Sequence, residues 1–288
     1  MRSIRTAVIG AGRAGMIHAT NFARAVPGVE LVGLADMDAA LCTRNANILG
    51  TDAAADHSVF LDGRADAVVI ATPTRFHCAI AVAALRAGLH VLCEKPMAMT
   101  LLECREMTDA AREAGTVLQI GFMRRFDVNF CEVADRIAAG EIGRPVSIRS
   151  LTYGPSIPKP WMYDIASSNG PLAEVNSHDI DTLFWYSGSQ VDEVFAVAGN
   201  YRCGEARETH PDFYDNVTMT VRFANGTQGI VQGAQGVRYG YDSRCEVLGR
   251  NGLLTVGGLP AGSVRSHTAH GFEGRIVQSW RHLFADAY

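Results

Sequence analysis

The stretch GPLAEVNSHDID, residues 170–181, sets Glu174 four residues before His178 and Asp181 three residues after it. Imidazole is the side chain whose ordinary pKa lies nearest neutral pH, which suits it to take a proton from a hydroxyl. Glu174 would orient that ring or bind a second hydroxyl, while Asp181 reads as structural, bonded to backbone or to an arginine. Elsewhere, VLCEKPMAM holds Lys95 between Glu94 and Pro96. An ammonium in a desolvated cleft stabilises an oxygen on which negative charge develops. A base and an oxyanion stabiliser are what alcohol oxidation requires of a protein, provided that a cofactor takes the hydride. Lys95, His178 and Glu174 are therefore candidate catalytic residues, although the Glu174–His178 spacing by itself fits an ordinary i, i+4 pair on a helix surface as well.

Defined elements must position them. In one continuous helix, Glu174, His178 and Asp181 occupy positions i, i+4 and i+7 and share a face, and Gly170-Pro171 reads as the helix start. Lys95 follows a buried-strand pattern and precedes a proline, whose peptide bond can be cis. Near the N-terminus, the apolar run Ala7-Val8-Ile9 leads into Gly10-x-Gly12-x-x-Gly15, then an amphipathic MIHATNFARA and a second strand, VELVGLADMD. Glycines so placed allow the tight turn, the approach of a pyrophosphate and close packing of helix on strand. The Arg13 and Ala14 amides at the helix start would meet the phosphates. Asp36 lies 26 residues (36 − 10) after Gly10, near the spacing expected of the acid that holds a ribose 2′-hydroxyl. Its charge repels a 2′-phosphate and Met37 offers no cation, so NAD is expected rather than NADP.

Strand and helix patterns then alternate through ADAVVIATPTRFH, CAIAVAALRAGLH, VLCEKPMAM and TVLQIGF. This is the signature of a doubly wound parallel sheet, whose ligands gather at the carboxyl ends of strands. Thr72, Pro73, Glu94 and Lys95 fall at such ends and join the candidate cofactor-lining residues, with His77 packed nearby. The second half reads as sheet: VDEVFAVAGNY, DNVTMTVRFANGTQGIVQGAQ and SRCEVLGRNGLLTV alternate, with Asn225-Gly226 and Asn251-Gly252 as hairpin turns. Arg124, after the last strand of the first half, and Tyr153, Trp161 and Asn176 are candidate substrate contacts, the aromatic residues reading equally well as core; Tyr239, or Tyr241 in its place, joins them only through the resemblance given below.

The chain has 288 residues and a net charge of −4, a size that favours two domains. The charge and the absence of Lys/Arg runs argue against a nucleic-acid partner. No apolar stretch is long enough for a membrane helix. Seven scattered cysteines without a C-x-x-C pair fit reduced thiols in a cytoplasmic protein, and the remaining histidines lack metal-ligand spacing, so no metal is expected.

Taken in order, AVIGAGRAGMIH, LADMD, ATPTRFH, CEKPMAMT, GFMRRFD and GPLAEVNSHDIDTLFW resemble the Gfo/Idh/MocA oxidoreductase family. With YGYDSRCEVLGRNGLL and WRHLFADAY, they resemble inositol dehydrogenases in particular. The resemblance implies an α/β protein: a Rossmann domain over 1–121, then a substrate-binding and oligomerisation domain over 122–288 with a large, mostly antiparallel sheet. It implies NAD-dependent oxidation of a secondary hydroxyl on a cyclitol or sugar, with Lys95 as the family's E-K-P lysine and Glu174–His178 as its D-x-x-x-H pair. The sheet implies a homodimer or homotetramer. Three features depart from the pattern. Glutamate replaces aspartate at 174; Thr152 and Gly154 stand where inositol dehydrogenases carry a histidine and an asparagine; and family chains run longer, so the second domain reads as truncated at its C-terminus. The alternatives are a sugar oxidoreductase or redox-assisted glycosidase with tightly bound cofactor, and a non-catalytic NAD-binding sensor or fragment.

Overall fold

The computed structural model describes residues 2–258, 260–268 and 271–288, with side chains described outside 260–276. It divides into two compact units, Met1–Gly121 with Tyr288, and Phe122–Ala287.

The first unit alternates β1 (Ile4–Ile9), α1 (Arg13–Arg24), β2 (Val29–Ala35), α2 (Ala39–Leu49), β3 (Asp52–Ala54), β4 (Ala67–Ile70), α3 (His77–Arg86), β5 (His90–Glu94), α4 (Leu101–Ala114) and β6 (Leu118–Gly121). Its six strands lie in the order β3-β2-β1-β4-β5-β6, and every neighbouring pair is parallel. Both faces are covered, so the buried centres of β1, β2, β4 and β5 are apolar. Val8, Leu34 and Val69 pack on Ala19, Cys42 and Ala46, while Ile9, Val68, Ile70 and Val91 pack with Ala81, Leu85 and Met107. The turn after β1 needs its glycines. Gly10 has φ +103°, and a Cβ there would lie 2.5 Å from Ala71 O; a Cβ on Gly15 would run into Gly10 O.

The second unit contains α5 (Val128–Ala138), β7 (Pro145–Gly154), α6 (Ile165–Ser168), α7 (Gly170–Glu174), α8 (Ser177–Ser187), β8 (Val191–Gly199), α9 (Ala206–Thr209), β9 (Asn216–Phe223), β10 (Gln228–Gln235), β11 (Asp242–Gly249), β12 (Leu253–Gly257), β13 (Pro260–Thr268), β14 (Gly271–Ile276) and α10 (Trp280–Leu283). Six of its strands form a sheet ordered β12-β11-β7-β10-β9-β8. Only β7 and β10 are parallel among the paired strands of that sheet. The Asn225-Gly226 and Asn251-Gly252 turns join β9 to β10 and β11 to β12.

Helix α8 lies against one face of this sheet. A Cβ on Gly229 would lie 2.6 Å from Leu183, and one on Gly233 would run into the Asn176 amide. That face carries the even-numbered residues of β7 and the odd-numbered residues of β10 and β11, and Ser150 and Thr152 of β7 and Ser243 of β11 meet Arg124 there. Its guanidinium donates to Asp179 Oδ1 (2.9 Å), Ser150 Oγ (3.1 Å), Thr152 Oγ1 (2.7 Å), Ser243 Oγ (2.9 Å) and Thr182 Oγ1 (3.3 Å). Asp179 also accepts from Ser150 Oγ and Asn176 Nδ2, and Arg124 lies 5.0 Å from the Phe130 ring centroid. Arg124 and Asp179 are essentially inaccessible to solvent.

One sequence expectation is corrected. The stretch 170–181 is not one helix, because Val175 and Asn176 form a turn between α7 and α8. The chain after 279 is one helical turn followed by a 3₁₀ turn over Ala285–Ala287. Among the described residues, no helix is long and apolar enough to cross a membrane.

Removing one partner of a buried ion pair strands the other charge away from water. Arg124→Met is expected to lower the unfolding free energy by about 3–5 kcal/mol in urea titrations. The double variant Arg124→Met/Asp179→Leu should recover part of that loss.

Candidate active site

In the first unit the turn from β1 to α1 forms a cradle. Gly12 is the N-cap of α1 with no side-chain cap, and a Cβ placed on it meets nothing within 4 Å. No packing constraint inside the protein therefore demands glycine at 12, unlike at 10 and 15. Helix N-termini present amides and a positive dipole end, which suit a phosphate above this glycine. Asp36 is clamped beside it: Oδ2 accepts from Ala11 N (2.7 Å) and Oδ1 from Asp38 N (2.9 Å). Each carboxylate oxygen keeps a further lone pair for a hydroxyl, and its neighbour Met37 is exposed. Asn45 Nδ2 fixes the same turn through Ala11 O (2.9 Å).

At the end of β4, Thr72 Oγ1 is buried with no hydrogen-bond partner in the protein, as expected of a hydroxyl that a ligand completes. Pro73 beside it is exposed. His77 and Glu94, both expected at the cofactor, face inward instead. The His77 ring is buried, with Nδ1 2.8 Å from Pro96 O and Nε2 2.9 Å from Thr72 O, so it ties the Thr72 and Pro96 loops together. Glu94 is buried with Oε1 2.7 Å from His18 Nε2. Lys95, half-buried, follows it at the end of β5 and precedes a cis proline.

In the second unit, Glu174 closes α7 and is half-buried, while His178 is buried in the first turn of α8, edge-on to Phe122 at 6.2 Å. The turn at 175–176 takes the pair out of the single-helix i, i+4 relation. Asp181 is structural as expected, receiving Arg125 Nε and Nη2 at 2.9 Å each.

Several expected substrate contacts prove structural. Arg124 is the buried hub described above. Asn176 is buried, donating to Asp179 Oδ2 (2.8 Å) and Gln232 O (3.3 Å). Tyr153 pairs with Asp242 across the β7–β11 ladder, on the face opposite α8. Tyr239 donates to Asp242 Oδ2 (3.2 Å), which also receives Arg244, and so belongs to that far face too. Trp161 is half-buried on a 3₁₀ turn. Tyr241, by contrast, precedes β11 with the parity of Ser243 and is buried. Gln235 escaped the sequence reading; the signal was its place in the same alternate set as Gly229, Val231 and Gly233. Among the described residues no cluster of three or more His, Cys, Asp or Glu could hold a metal; His270 and the His267 side chain lie outside them.

Residues 4–122 match the Gfo/Idh/MocA oxidoreductase family, NAD-binding Rossmann fold, and residues 130–255 its C-terminal domain. The chain is 32% identical over 289 residues to scyllo-inositol 2-dehydrogenase (NAD(+)) of Bacillus subtilis, covering 99% of this chain and 83% of that one. It is 32% identical over 256 residues to myo-inositol 2-dehydrogenase of Thermotoga maritima, covering 87% and 74%. The crystal structure of scyllo-inositol dehydrogenase from Lactobacillus casei with bound NAD(H) and scyllo-inositol aligns with a TM-score of 0.90 at 26% identity, over 99% of this chain and 86% of that one. The chain belongs to the Gfo/Idh/MocA family of oxidoreductases.

Proposed function

We propose that this protein oxidises a secondary ring hydroxyl of a cyclitol, or of a sugar of similar shape, with NAD as the acceptor. The observation that carries the reading is the cradle at Gly12, where a glycine that nothing in the protein requires adjoins a clamped carboxylate and a buried, unpartnered Thr72 hydroxyl. Similarity to inositol dehydrogenases supports the substrate class.

The cofactor supplies the hydride acceptor; the chain's residues do the rest. Helix α1 and the Gly12 backbone hold the pyrophosphate, and Asp36 accepts hydrogen bonds from a ribose. Lys95 donates to the substrate hydroxyl oxygen and stabilises the charge that builds there as the proton leaves. His178 takes that proton, and Glu174 orients the ring or binds a neighbouring hydroxyl. The carbinol loses a hydride and a proton and becomes a ketone.

The reading extends to a homodimer or homotetramer. Strand β8 turns Val194, Phe195 and Val197 to solvent, an apolar edge that a second copy would cover. Seven free cysteines support a cytoplasmic setting.

NADH formation over a panel of inositol isomers, pentoses and hexoses tests the proposal; turnover confined to one stereochemical subset is expected, and silence across the panel with NAD still bound sinks it. Lys95→Met and His178→Ala should each lower kcat by about 10²-fold or more. Gly12→Ala should leave the unfolding midpoint unchanged and weaken NAD by about tenfold or more, as titration of nucleotide binding would measure. Turnover with NADP should be poorer than with NAD, and Asp36→Ala should narrow the gap.

A further inference from the structure

The α8-facing side of the second sheet is built in rows that the strand register fixes. Gly233 of β10 pairs with Thr152 of β7, and Thr152 with Ser243 of β11. That row is filled: Asn176 lies on Gly233, and Arg124 binds Thr152 and Ser243. One row further along, Gln235 pairs with Gly154, and on the other side Tyr241 immediately precedes Asp242, the β11 partner of Tyr153.

This row differs from those before it. Gly154 contributes no side chain, and a Cβ placed there meets nothing within 4 Å. Gln235 is 5% exposed, yet its Oε1 has no hydrogen-bond partner. At the first residue of α8, next to the Asn176 that covers the adjoining row, Ser177 Oγ is likewise buried without one. Burial pushes the Tyr241 phenol up to about 12, so it stays neutral at working pH. A buried amide oxygen without a donor carries a cost that folding normally avoids. The open space lies over Gly154, its partner in the β7–β10 register, where a ligand can enter.

An amide oxygen only accepts, so its partner must donate, as a hydroxyl does and a carboxylate or phosphate does not. The Arg124 cation on this face is already paired with Asp179, which leaves it committed rather than offered to an acidic sugar. We infer that Gln235 selects the substrate: its Oε1 accepts a hydrogen bond from a ring hydroxyl other than the one oxidised, and the space over Gly154 admits the carbon that bears it. The inference rests on the polyol dehydrogenase reading and names the residue that discriminates among neutral polyols.

The test uses the full chain with NAD, its best polyol from the panel, and the mono-deoxy analogues of that polyol. Gln235→Leu keeps the volume and removes the acceptor. It should raise KM for the polyol by about tenfold or more while kcat stays within a few-fold and KM for NAD is unchanged. For one deoxy analogue, the one lacking the partner hydroxyl, wild type and Gln235→Leu should have the same kcat/KM. Gly154→Val should also raise KM for the polyol without lowering the unfolding midpoint, which separates lost space from lost folding. The inference is overturned if Gln235→Leu leaves KM for the polyol unchanged, if its loss is equal for every deoxy analogue, or if Gly154→Val is kinetically silent. A wild-type chain that turns over no polyol would remove the dehydrogenase reading itself, and the inference with it; an active wild type with an indifferent Gln235→Leu removes the inference alone.

Discussion

The second unit is organised around a charge kept from water. The Arg124 guanidinium and the Asp179 carboxylate are buried together, and an ion pair in that position is tolerable only when the surrounding polar groups meet its remaining hydrogen-bond capacity. They come from three directions: Ser150 and Thr152 from β7, Ser243 from β11, Thr182 and Asn176 from α8 and the turn before it. The pair thereby fixes where α8 lies on the sheet, and His178 is the residue next to Asp179. The proposed base is thereby anchored through its buried neighbour Asp179, to which no chemical step is assigned.

Most of the first unit was legible in the sequence, because there each residue answers to a local rule. Gly10 needs positive φ, Gly15 needs contact with Gly10 O, and Asp36 ends the strand beside them. Apolar runs alternating with amphipathic helices leave little choice of sheet. What stayed hidden was direction. Glu94 ends β5 and His77 opens α3, and both turn inward, because a place near a strand end does not say which way a side chain points.

The second unit was harder for the same reason. In a strand, a step of one residue exchanges faces, so Tyr153 lies on the face opposite α8 with its ladder partner Asp242, to which Tyr239 donates. Arg124 reads from the sequence as a cation after a strand; only long-range packing, as far as Ser243, makes it a core residue. The Glu174–His178 spacing suggested a single helix, and the turn at Val175 and Asn176 was invisible because neither residue is a strong helix breaker.

The place of β7 has a kinetic consequence. It lies between β10 and β11, strands that follow it in the chain by some eighty residues or more, as the Ile230↔Arg149 and Cys245↔Ser150 pairings show. Such distant pairings close large loops before they gain contacts, which slows folding. As the chain leaves the ribosome, β7 must wait unpaired, and Arg124 must wait for Ser243. The sheet of the second unit therefore assembles late around β7, while the first unit is complete in its sequence by Gly121 apart from Tyr288.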